Sequence, residues 1–207
     1  MIRRVLELIQ KQLNAYFQNI DRRDEEWVIL SNVVDNEGKP FEDANGKVVM
    51  FLANITHETI VSTYSPTVRT KGSSYAVVAP PIYIDLFILF FANFVDRRYA
   101  EGLEMISRTI SYFQQNPVFT RDNMPELDPS IDKLTMEITN LDLLEVNYLM
   151  GVLGTKYLPS VYYKLRMLPF ASDAMQAEVP AARGVDTPQA PSDAPTGKSR
   201  GPADAVN

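Results

Sequence analysis

The chain has 207 residues, 45% of them hydrophobic and 22% charged, with net charge −6, one histidine and no cysteine. That size suits one globular domain with room for an appendage. The lack of cysteine excludes disulfides, thiolate nucleophiles and cysteine zinc sites, the lone His57 leaves no histidine cluster for a metal, and the acidic balance argues against a phosphate backbone as a general partner.

Ile2, Val5, Leu6, Ile9, Leu13, Phe17 and Ile20 recur at three and four residues, which predicts an amphipathic helix over 2–20. This N-terminus lacks the continuous apolar core and small-residue cleavage site of a signal peptide, so synthesis in the cytoplasm without classical export is expected. WVILSNVV reads as a strand and KVVMFLANIT at 47–56 as a second, with Asn45-Gly46 placed where a turn needs positive φ. The acidic segment 35–46 lacks the ligand spacing of a calcium loop and is read as a hairpin connection. Residues 57–79, with Pro66, Gly72 and Ser73-Ser74, predict a long loop or extended hairpin that projects from the body and carries the candidate interface cations Arg69 and Lys71.

In the run from Ile82 to Val95, Ile82, Ile84, Leu86, Ile88 and Phe90 share one face while Tyr83, Phe87, Leu89 and Phe91 share the other, as in a central strand covered on both sides. The run is too short to cross a bilayer as a helix, and Asp85 interrupts it. Asp96 is placed to cap a helix with Tyr99, Leu103, Ile106, Ile110 and Phe113 on one stripe, which Asn116-Pro117 ends. After a proline-punctuated loop, KLTMEIT alternates at Leu134, Met136 and Ile138 as a strand. Asn140 or its neighbour is expected to cap a third helix, LDLLEVNYLMGVL, that Gly154 terminates. A final strand over 157–168 places Val161, Tyr163, Leu165 and Met167 on one face, with Tyr162, Lys164 and Arg166 on the other.

These elements predict an α+β (mixed α/β) fold, a mixed sheet with about three helices packed on it, over a domain 1–170. Residues 171–207 contain nine Ala, five Pro and no aromatic residue, so they are expected to be a flexible tail, disordered in isolation.

Familiar reaction motifs are missing: there is no G-x-S-x-G elbow, no phosphate loop, no dinucleotide-binding glycine pattern and no H-E-x-x-H. His57-Glu58 has the residue types of a base and its orienting acid, but neighbours on a strand point to opposite faces. Asp85 is either a raised-pKa acid or a hydrogen-bonded structural carboxylate. A small enzyme built on Asp85 or His57 is thus one alternative reading. The basic pairs are scattered and the aromatics lack basic interleaving, which argues against nucleic acid. No cofactor is indicated, and a function exercised through surfaces is left.

The blocks PPIYIDLFILFFANF, ISYFQQNPVFT and LTMEITNLDLLEVNYLMGVLGTKYLPSVYYKLRML, in this order, resemble the tail-terminator or cap proteins of extracellular contractile injection systems. The most distinctive residues are Gly154, Lys156, Tyr157, Pro159, Ser160, Val161, Tyr163, Lys164 and Arg166, and the resemblance runs from about residue 3 to 170. The family often carries Trp where this chain has Tyr148 or Leu149. The resemblance implies a non-enzymatic hexameric ring at the end of the tail distal to the baseplate, with the sheath and inner tube proteins as partners and no membrane insertion. An adaptor or baseplate subunit of the same particle is the nearest alternative. Within that frame Tyr157, Tyr162, Lys164 and Arg166, with Arg69 and Lys71, are the candidate interface. The second face of the last strand is expected either to meet an acidic neighbour or to be simply solvated.

Overall fold

The apolar stripe at the start of the chain winds into a helix over Ile2–Asp21, burying Val5, Leu6, Ile9, Leu13 and Phe17 and leaving Ile20 exposed at its last turn. A computed structural model of the chain describes residues 1–22, 24–32, 34, 39, 41–59, 67–69, 74–78, 81–94, 98–170 and 175–180, with 67–69, 74–78 and 175–180 described by backbone alone. In chain order the elements are α1 (Ile2–Asp21), β1 (Val28–Leu30), a 3-10 turn (Glu42–Ala44), β2 (Lys47–His57), β3 (Thr67–Arg69), β4 (Ser74–Val78), β5 (Ile82–Asn93), α2 (Tyr99–Gln115), β6 (Val118–Phe119), β7 (Leu134–Ile138), α3 (Leu143–Leu153), β8 (Ser160–Phe170) and β9 (Met175–Pro180).

Six strands form one mixed sheet in the order β1-β2-β5-β8-β7-β6, and β3-β4-β9 form a second of three. This is the α+β architecture the sequence predicts. The apolar strand β5 lies inside the sheet, and both its faces are covered. Leu86, Ile88 and Phe90 meet α1 and α2 in the larger core, where Phe113 packs its ring 5.2 Å from Phe90 and 4.9 Å from Tyr163. Leu89 and Phe91 join Val49, Met150 and Leu153 in a smaller core beneath α3.

Several details depart from the sequence reading. β1 and β2 run parallel, Val28 beside Val48, so they do not form the hairpin that the sequence suggests. Turn residues mark where a chain reverses locally but say nothing of the direction in which it returns. Of the residues assigned to the packing face of α2, Ile106 and Phe113 are buried, whereas Tyr99, Leu103 and Ile110 are exposed. The face pressed on the sheet is Gly102, Met105, Ile106, Thr109 and Phe113, because Gly102 and Thr109 allow close approach that a pattern of large residues conceals. Asp96 lies outside the described residues, and Arg98 precedes the first turn. Asp142 caps α3, accepting from the Glu145 amide at 2.8 Å while Glu145 accepts from the Asp142 amide at 2.9 Å, a reciprocal capping box. Gly154 ends α3 at φ 66, the left-handed geometry expected of it, and Gly46 takes φ 72 before β2. Beyond Phe170, in a segment whose composition suggests no element, β9 pairs antiparallel with β4, with Tyr75 beside Val179. Backbone pairing needs no apolar side chains, so composition cannot signal it.

Both outer strands of the main sheet end on asparagine side chains. Asn14 of α1 accepts from the Trp27 and Val28 amides at 2.9 and 2.8 Å and donates to the Val28 carbonyl at 2.8 Å. At the other edge Asn123 donates to the Val118 carbonyl at 2.7 Å and accepts from the Thr120 amide at 2.9 Å.

Burial pushes the hydroxyls of Tyr112 and Tyr163 up to about 12. The folded state therefore holds protons that the unfolded chain loses near pH 10, its ordinary tyrosine value. Their contribution to stability is complete below about pH 10 and is lost as pH rises to about 12, by roughly 2 to 3 kcal/mol per tyrosine. Thermal melting temperatures are expected to fall steadily across that window, and Tyr163→Phe to shrink the fall. A flat profile between those two values would contradict this account.

Candidate interaction surface

The second face of the sheet carries the charged residues singled out in the sequence, and a bulge organises them. Ile84 pairs with Leu168 and Leu86 with Leu165, so Asp85 stands opposite two β8 residues, Arg166 and Met167. Met167 takes φ 76, and its amide donates to Asp85 Oδ1 at 3.4 Å. The bulge also shifts the alternation, so that Leu168 enters the core where the uninterrupted pattern places Met167.

Asp85 is 1% exposed, and Lys164 Nζ lies 2.8 Å from its Oδ2. The same ammonium sits 5.6 Å from the centre of the Phe87 ring, which stacks on Tyr162. Beside it Arg166 donates to Glu58 Oε2 at 2.7 and 3.1 Å and to Glu137 Oε1 at 3.3 Å. Hydrogen bonding to Glu58 raises the Arg166 pKa above its ordinary value. Burial, with the nearby Glu145 charge, raises that of the Tyr162 hydroxyl.

Lys164 and Arg166 therefore serve acids of their own chain. β8 lies between β5 and β7 and is an interior strand, not a sheet end. Asp85 is a buried carboxylate paired with Lys164, and His57 is exposed while Glu58 is buried against Arg166. Arg69 falls in β3, described by backbone alone, and Lys71 lies outside the described residues. Tyr157 stands apart from this cluster, 62% exposed beyond the end of α3.

Around Tyr157 lies the surface that sequence reasoning missed. α3 is apolar at Leu143, Leu144, Val146, Tyr148, Leu149, Met150, Val152 and Leu153, eight of its eleven residues, yet only Met150 and Leu153 are buried. Leu143 is 82%, Val152 79%, Tyr148 64% and Leu144 57% exposed. Leu143, Leu144 and Tyr148, together with Gly151, Lys156 and Tyr157, line a cleft of about 890 Å³. A helix apolar on all sides needs cover on all sides. The signal was present in LDLLEVNYLMGVL, which has no polar face to turn to water. A contiguous exposed apolar surface of this kind marks an interaction site.

Among the described residues there is no group of acids and histidine able to hold a metal ion, and no helix long and apolar enough to cross a membrane. Residues 4–183 match the Pvc16 N-terminal domain.

The chain belongs to the Pvc16 N-terminal domain family.

Two solved structures share the fold of this Pvc16 N-terminal domain. One, by cryo-EM, is the PVC sheath/tube terminator of an extracellular contractile injection system in its extended state, at 12% identity and TM-score 0.61, covering 94% of this chain and 65% of that one. The other, also by cryo-EM, is the tube-terminating cap of the anti-feeding prophage, at 15% identity and TM-score 0.59, covering 88% of this chain and 59% of that one. The chain thus spans less than two thirds of either neighbour. No curated protein matches it in sequence.

Proposed function

We propose that this chain is a structural cap subunit that closes the distal end of the tube and sheath of a contractile injection system and stops their growth, working as a closed ring of six copies without catalytic chemistry. The observation that carries the reading is the fold shared along 94% and 88% of the chain with a sheath/tube terminator and a tube-terminating cap, within a family matched over residues 4–183. The physical features fit a subunit that ends an assembly. The Asn14 and Asn123 amides occupy the outer edges of the main sheet at Val28 and Val118, where a further strand would otherwise find free backbone groups. The apolar α3 face supplies a surface for a neighbour, and the buried carboxylates Asp85 and Glu58 are held by Lys164 and Arg166 in structural pairs.

Deleting the chain tests this directly. Particles from the deletion strain, measured by electron microscopy, are expected to show a broad length distribution with overlong tails, because growth lacks a stop. Labelled protein in intact particles is expected at the end away from the baseplate. Wild-type lengths in the deletion strain would reject the terminator role, and label at the baseplate would favour the adaptor reading instead.

A further inference from the structure

We propose that copies of this chain join head to tail, with the apolar face of α3 on one copy seated against the flank of α2 formed by Tyr99, Leu103 and Ile110 on the next. This contact rests on the cap reading, which calls for a closed ring, and it names the surfaces that close it.

Three observations point the same way. First, the molecule exposes two apolar helix faces: Leu143, Leu144, Tyr148 and Val152 on α3, and Tyr99 (52% exposed), Leu103 (44%) and Ile110 (37%) on α2. Second, these helices lie on opposite faces of one sheet, α2 over the larger core and α3 over the smaller. The α2 stripe is also turned away from α1, since Arg108 and Tyr112, on the other flank by helical spacing, bond Asp21 and Gln12 of α1. A two-fold pair buries one patch twice and leaves the other in water. Head-to-tail contact buries both, and it closes into a ring when the rotation between copies divides a full turn.

Third, the two faces suit each other in shape and in the cost of drying them. A Cβ added at Gly151 would meet nothing within 4 Å, so α3 presents a hollow between Tyr148 and Tyr157. The α2 stripe offers bulky side chains to enter it. The serines bordering that stripe are already satisfied within the helix: Ser107 Oγ donates to the Leu103 carbonyl at 2.9 Å and Ser111 Oγ to the Ser107 carbonyl at 3.0 Å. Removing water from this flank therefore strands neither serine hydroxyl.

The chain has no cysteine, which makes site-directed cross-linking unambiguous. Full-length Leu144→Cys, Leu103→Cys and the double variant would be treated with a short bismaleimide, both as concentrated protein and in purified particles. The double variant is expected to give a ladder of oligomers ending at the closed ring. An equimolar mixture of the single variants should stop at dimers, and either single variant alone should give none. Efficient dimers from Leu144→Cys alone would establish a two-fold α3 contact and overturn the proposal. So would absence of the ladder in both preparations, which would assign the α3 face to a different partner. Normal tail lengths without a ladder would reject this contact and leave the cap reading standing. A ladder from copies located at the baseplate would do the reverse.

Discussion

A chain carrying Lys164→Glu together with Arg166→Glu is expected to fail to fold, not merely to fail to assemble. Viewed as a surface strand, this face looks free to accept reversed charge. In the structure Lys164 sits 2.8 Å from an Asp85 carboxylate that is 1% exposed, and Arg166 sits 2.7 Å from a Glu58 that is 4% exposed. Reversing both cations places carboxylate against carboxylate at two buried positions and removes donors from each. Breaking one buried pair costs about 3 to 5 kcal/mol, and two such losses approach the roughly 5 to 15 kcal/mol that holds a whole domain. Lys164→Met and Arg166→Met, each made alone, should fold with clearly lowered melting temperatures, since each removes only one of the two buried ion pairs. Circular dichroism and thermal melts check the series. A soluble double variant melting like the wild type would mean that these pairs do not hold the bulge.

The same cluster marks the limit of what the sequence could convey. Alternation along β8 correctly separates Val161, Tyr163 and Leu165 from Tyr162, Lys164 and Arg166, because side-chain period is local information. What Lys164 and Arg166 touch is not local: Glu58 lies 108 residues before Arg166 in the chain. A cation on the second face of a strand reads the same whether it faces water, a partner or a buried acid. The bulge at Met167 was equally hidden, since one extra residue in β8 becomes visible only against the register of β5. The doubly covered β5 was legible, because both of its faces are apolar in sequence. The α2 face was misread for the opposite reason: small residues, Gly102 and Thr109, do the packing there while Tyr99, Leu103 and Ile110 remain outside. Exposed apolar residues at helical spacing look like core until a fold shows which side the sheet is on. In α2 and α3 alike, apolar residues left outside the core coincide with the surfaces assigned to neighbouring copies.

Asn14→Ala is expected to cost nearly as much as the loss of one of these buried ion pairs. Asn14 interrupts the apolar stripe of α1 and is 8% exposed, and its carboxamide is the link between that helix and the outer edge of β1. Truncation leaves the Trp27 and Val28 amides without the oxygen that accepts from both. The Val28 carbonyl keeps only the Gln10 amide, at 3.1 Å. Each buried group left unsatisfied costs about 1 to 3 kcal/mol, so a loss of roughly 2 to 5 kcal/mol is expected in denaturant unfolding. Asn14→Asp retains the acceptor and should recover part of the loss, whereas Asn14→Leu fills the space and should recover little. Hydrogen exchange provides the residue-level check: the Trp27 and Val28 amides should lose protection in the alanine variant, while amides in β5 change only by the global destabilisation. Exposing these groups also creates an open strand edge, and such edges recruit further strands. Concentrated Asn14→Ala protein is accordingly expected to aggregate below its unfolding midpoint. A variant that kept both amides protected and stayed dispersed would show that water, and not Asn14, satisfies the edge of β1.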